Sequence, residues 1–117
     1  MIFYMGIMKT EDIYDLIAKT SIELGLRTDG KSMAALAKLF FQDLQTDKRL
    51  KSLSLEQVQT AFYLGVRYDE KEPFLNIRTF YRFCLKHKER INDAIYEVEY
   101  YHKNPNEVEY YPKNLLK

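Results

Sequence analysis

The chain has 117 residues, with 18 basic and 17 acidic side chains for a formal net charge of +1. That is enough for one modest core, and the near-neutral balance excludes a generally polycationic coat for nucleic acid. Apolar residues at 46% and aromatics at 15% exclude wholesale disorder. The aromatics are ten Tyr and seven Phe without a Trp, and an amphipathic Tyr surplus belongs partly at surfaces and interfaces.

The segment from Met1 to Met8 is apolar but lacks a basic leader and a small-residue cleavage site, so it does not read as a signal peptide. It is far shorter than the roughly 20 residues a membrane helix needs. Two readings stand: the segment packs on the core, or the start is misassigned and the chain begins at Met8. The single cysteine, Cys84, has no intramolecular partner, which points to a reducing compartment and a cytoplasmic protein.

Thr10, Glu11 and Asp12 form a helix start, with a side-chain cap followed by acids at the positive end of the helix dipole. Ile13, Leu16, Ile17, Thr20 and Leu24 recur at helical spacing, and Gly25 supplies a left-handed stop. Residues 26–31, with Asp29-Gly30, read as a loop. A second helix is expected from about Ser32 to Thr46, burying Met33, Leu36, Leu39, Phe40 and Leu44 and leaving Lys38, Gln42 and Asp43 wet.

Ser54-Leu-Glu-Gln57 is a capping box flanked by a Leu53/Val58 hydrophobic staple. The third helix then turns Val58, Ala61 and Phe62 inward and closes at Gly65. The stretch from Val66 to Leu75 is polar and acidic (Asp69, Glu70, Glu72), and Pro73 prevents an early helix. Asn76 caps a fourth helix running through Ile77, Phe80, Tyr81 and Cys84 toward Ile91, Ala94, Ile95 and Val98. It is either one long helix or broken near His87-Lys88. The fold class is therefore all-α: a small bundle of about four helices with a C-terminal tyrosine-rich tail. The organisation reads as an apolar segment 1–9, a helical domain 10–96 and a repeat-containing tail 97–117.

In that tail, Glu97-Val-Glu-Tyr-Tyr101 returns as Glu107-Val-Glu-Tyr-Tyr111, and each copy is followed by a Lys-Asn pair. Asn104-Pro105-Asn106 between them is a turn signal. Either the tyrosines pack back on the bundle, or Tyr100, Tyr101, Tyr110 and Tyr111 anchor a linear arm that docks a partner.

No catalytic constellation is legible. Cys84, His87 and His102 lack metal-ligand spacing, and Cys84 lies one turn after Phe80 on an apolar face, as a core residue would. No phosphate loop, nucleophile elbow or metal-binding helix is present, and no two carboxylates form an acid/base pair. The chain reads as a non-enzyme without metal or cofactor.

One pattern does point to a partner. Arg78, Arg82, Lys86 and Arg90 recur every four residues along the fourth helix and form a ridge, with Lys88 nearby. Such like charges repel by a few tenths of a kcal/mol per pair, unless the acidic stretch 69–72 folds over them. Beside a solvated face, the ridge suits phosphate backbone or an acidic protein surface. Ala61-x-x-x-Gly65-Val66 followed by Leu75–Phe80 also echoes a helix-turn-helix, with Arg78, Thr79 and Arg82 on the exposed start of the second helix. The acidic connection of about ten residues is long for that motif.

The stretch Leu53-Ser-Leu-Glu-Gln-Val-Gln-Thr-Ala-Phe62, then Leu64-Gly-Val-Arg67, then Leu75-Asn-Ile-Arg-Thr-Phe-Tyr81 resembles small replication proteins of phages and mobile elements, of the helicase-loader or replisome-organiser type. The resemblance spans roughly residues 10–90. It implies an all-helical, non-hydrolysing domain that contacts a replicative helicase through Arg78, Arg82, Lys86 and Arg90, with the tail tyrosines as a second contact. A DNA-binding accessory protein and a small virion component, the latter a homo-oligomer, are the alternatives.

Overall fold

The computed structural model describes residues 7–101. Four helices follow one another: α1 (Thr10–Glu23), α2 (Gly30–Thr46), α3 (Leu55–Tyr68) and α4 (Ile77–Tyr101). The all-α bundle read from the periodicity is present. α1 packs on α2 and α3, and α4 packs on α3 and α2.

The caps hold these boundaries. At α1 the cap position is Lys9 rather than Thr10: the Asp12 carboxylate accepts the Lys9 backbone N–H at 2.9 Å, reaching back from the first turn. Gly25 ends the turn after α1 at φ +70, as its place in the sequence required. α2 begins at Gly30, two residues before the expected Ser32, with Asp29 at its N-cap. The α3 capping box is complete: Ser54 Oγ accepts from the Gln57 N–H at 3.2 Å, and Gln57 Oε1 accepts from the Ser54 N–H at 2.9 Å. Asn76 Oδ1 accepts the Thr79 N–H at 2.8 Å and so starts α4.

α4 runs unbroken past His87-Lys88 and carries the first copy of the tail repeat, residues 97–101, within it. The side chains of Tyr100 and Tyr101, together with Tyr110 and Tyr111, lie outside the described residues. So does Met1–Gly6 of the apolar start, while Met8 is half-buried against the core.

Phenylalanine fills the centre of the bundle. Phe40 of α2 lies 5.3 Å from Phe80 of α4, and Phe62 of α3 lies 5.1 Å from Phe80 and 5.4 Å from Phe83, all between ring centroids in tilted or edge geometries. Such pairs are favoured by about 0.5–1.5 kcal/mol beyond their area burial. Ile13, Ile17, Leu44, Val58 and Cys84 surround them, and Leu50 and Leu53 close the core from the α2–α3 turn.

Two core expectations change. Leu39 is 55% exposed, because it sits about 100° round α2 from the buried Phe40, outside the stripe formed by Ala37, Phe40 and Leu44. Gly65 does not close α3, which continues one further turn to Tyr68. It is buried where the Phe83 ring of α4 crosses α3, and a Cβ there would meet Phe83 Cγ at 2.5 Å. The absent side chain serves the helix–helix approach rather than a helix stop.

Candidate functional site

α4 is the element on which the ridge Arg78, Arg82, Lys86 and Arg90 was read, and the bundle treats the four differently. Each step of four residues advances about 400° at 3.6 residues per turn, so the ridge drifts about 40° per step. It begins on the outer face and winds toward the flank that packs on α3.

Arg78 and Lys86 are exposed and make no ion pair among the described residues. Arg82 Nε donates to Asp69 Oδ2 at 2.6 Å, so the first acid of the α3–α4 connection does fold over the ridge. Arg90, at the end of the drift, has Nε and Nη1 buried without a hydrogen-bond partner. Burial lowers its pKa, opposed by the negative charges of Glu89 and Asp69.

Thr79 is 2% exposed. Its Oγ1 accepts the Phe74 N–H at 3.4 Å, and its own N–H is held by Asn76, so its hydroxyl closes the α3–α4 connection and faces inward. The helix-turn-helix pattern in the sequence expects it on an exposed start of α4. It sits inward because the Asn76 cap sets the phase of the first turn, about 100° from Arg78.

Further cations come from a segment that sequence reading passed over. The α2–α3 turn, residues 47–54, lies along the other flank of α4. Lys88 Nζ donates to the Arg49 carbonyl oxygen at 2.7 Å. The Arg49 guanidinium lies 5.6 Å from the Tyr81 ring centroid and makes two 3.3 Å bonds to the Asp47 carboxylate. The Arg49 hydrogen bonds hold the Asp47 carboxyl below the usual range. The Tyr81 hydroxyl donates to Asp47 Oδ2 at 3.3 Å. Burial, and after it the carboxylate of Asp43, raises the Tyr81 pKa well above its ordinary value, so the hydroxyl keeps its proton and remains a donor. Lys48, Arg49 and Lys51 are all exposed. The only sequence signal for them was a Lys-Arg-Leu-Lys run in a turn, and nothing local ties that run to α4.

Negative charge gathers elsewhere. A cleft of about 610 Å³ between α1 and α3 is lined by Asp12, Asp15, Glu23, Glu56, Lys19 and Tyr63, among others. Glu23 there pairs with Arg67 at 2.7 Å, and Arg67 stacks over the Tyr63 ring at 3.7 Å. A smaller cleft of about 340 Å³ lies where the start of α3 meets His87 and Ile91. Four of the residues named for the larger cleft are carboxylates, so acidic side chains gather on the α1–α3 surface.

Among the described residues no group of three or more His, Cys, Asp or Glu is placed to hold a metal ion. None of their helices is long and apolar enough to cross a membrane. Compared with family models, with curated proteins and with solved structures, the chain has no match.

Proposed function

We propose that this chain is a non-enzymatic helical adaptor of phage-type DNA replication whose α4 surface meets an acidic surface of a protein partner, the replicative helicase. The observation that carries this reading is the placement of Arg78 and Lys86. Both are exposed on a long helix, fixed at its start by the Asn76 cap, and neither has an internal counter-ion among the described residues. Cations on a rigid element make an electrostatically steered docking surface, in which complementary charge gives register and on-rate. The sequence resemblance to helicase-loader proteins, whose span includes both residues, supplies the identity of the partner.

Base-reading DNA recognition has less support. The connection between α3 and α4 covers residues 69–76, and Thr79 at the start of α4 is engaged inside the fold. A recognition helix needs its first turn free in the major groove.

The test is co-purification of the full chain with the replicative helicase of its host, in parallel with Arg78→Glu/Lys86→Glu. Reversal at Arg82 is less informative, because it would also set like charges against each other at Asp69. The complex is expected to form and to be lost with the double reversal. Absence of a complex, or a complex indifferent to the reversal, rejects the proposal.

A further inference from the structure

The turn between α2 and α3 is more than a connection. Asp47 receives hydrogen bonds from the Arg49 backbone N–H at 2.8 Å, from the Arg49 guanidinium and from Tyr81 of α4. Lys88 of α4 then binds the Arg49 carbonyl. These bonds pin the turn to α4 at two points, Tyr81 and Lys88, two turns of helix apart. Lys48 and Lys51, exposed on either side of Arg49, make no ion pair among the described residues. Lys88 has its ammonium on a carbonyl oxygen rather than a carboxylate, so it adds positive charge here without cancelling it.

We infer that the α2–α3 turn and α4 form one two-armed docking surface for an acidic protein segment, with Lys48 and Lys51 on one arm and Arg78 and Lys86 on the other. This inference rests on the adaptor reading and extends it to residues outside the ridge. The turn meets one flank of α4 at Tyr81 and Lys88, and the other arm runs from Arg78 on the outer face toward Lys86. The bound segment thus crosses a helix whose diameter with side chains is about 10–12 Å. A protein segment is favoured over nucleic acid by the acids among the cations. Asp47 lies inside the turn, Glu89 is exposed on the outer face of α4, and Asp43 lies next to Tyr81. A phosphate backbone is uniformly negative and meets each of them with repulsion, whereas a protein segment can answer them with its own cations.

The experiment is fluorescence anisotropy with the full chain and two probes, a labelled glutamate-rich peptide carrying interspersed lysines and a labelled DNA duplex, across a salt series. Four proteins are compared: wild type, Lys48→Glu/Lys51→Glu, Arg78→Glu/Lys86→Glu, and a control, Lys19→Glu/Lys38→Glu, which changes net charge equally at exposed sites on α1 and α2. Circular dichroism confirms that each is folded. The glutamate-rich peptide is expected to bind in a salt-sensitive manner, to weaken about tenfold or more with reversal of either arm, and to be unaffected by the control.

A loss with the α4 reversal but none with the turn reversal overturns the two-armed surface and leaves the adaptor reading intact. Equal loss in the control shows a net-charge effect and overturns the inference. Preference for the duplex, weakened by both arms, replaces the acidic segment with nucleic acid. If no form binds the glutamate-rich peptide the inference fails, while the helicase co-purification decides the adaptor reading separately.

Discussion

Gly65 of α3 lies against the face of Phe83 of α4, so close that no side chain fits between them. The contact lets the two helices approach where the Phe62–Phe83 pair, at 5.4 Å, continues the aromatic core. It also reverses the usual consequence of a mid-helix glycine.

Replacing such a glycine with alanine ordinarily favours the helix by about 1 kcal/mol. Here the added methyl meets the ring, and overpacking costs about 1–3 kcal/mol. Gly65→Ala is therefore expected to lower the urea midpoint, and Gly65→Ala/Phe83→Leu to lose less than the two single changes combined. A higher midpoint for Gly65→Ala alone would show that the contact is not tight.

The Arg82–Asp69 pair is partly shielded, with side chains 28% and 14% exposed. Exposed pairs contribute about 0–1 kcal/mol and fully buried ones are dominated by desolvation. A coupling of about 1 kcal/mol is expected from the cycle Arg82→Ala, Asp69→Ala and the double variant. Zero coupling would mean the contact adds nothing to holding the α3–α4 connection.

His87 is buried, and burial, followed by the charge of Arg90, lowers its pKa from 6.5. The folded state thus disfavours a proton that the unfolded chain accepts. Below the ordinary imidazole range the unfolded state binds more protons, so stability is complete above about pH 6.5 and declines as the pH falls through and below it. Urea unfolding at about pH 7.5 and about pH 5 should show a larger acid loss for the wild type than for His87→Gln. Equal losses would assign the acid sensitivity to the carboxylates.

Cys84 is buried in the core, and burial raises its thiol to about 12. At neutral pH a thiol-specific reagent should modify it only through unfolding, slowly in buffer and at once in denaturant. Immediate modification of the native protein would contradict the packing around Phe80 and Cys84.

Much of this fold is legible locally. The Ser54–Gln57 capping box, the Asn76 cap and the Gly25 stop each carry their own donors, acceptors or backbone freedom within three or four residues, and all three stand where the pattern put them. The apolar stripes likewise identify Ile13, Ile17, Phe40, Val58, Phe62 and Phe80 as core. The exceptions have a common origin. Leu39 is apolar but off the stripe, Gly65 looks like a helix stop but answers to a ring 18 positions away, and Thr79 looks exposed until Phe74 reaches it. The ridge of four cations is real as spacing, but its drift round α4 and the position of Asp69 decide which members face solvent.

Four helices, the caps at Ser54 and Asn76, most of the inward faces and the spacing of the α4 cations follow from the sequence alone, because hydrogen bonds and periodicity act over one or two turns. That Arg82 is matched by Asp69, that Arg90 is partly covered, and that the turn carrying Arg49 comes beside α4 depended on how the helices pack. Those outcomes depend on helix phase and on contacts between residues 13 to 39 positions apart. Such contacts arise when four amphipathic faces close on a single core, and no local rule encodes them.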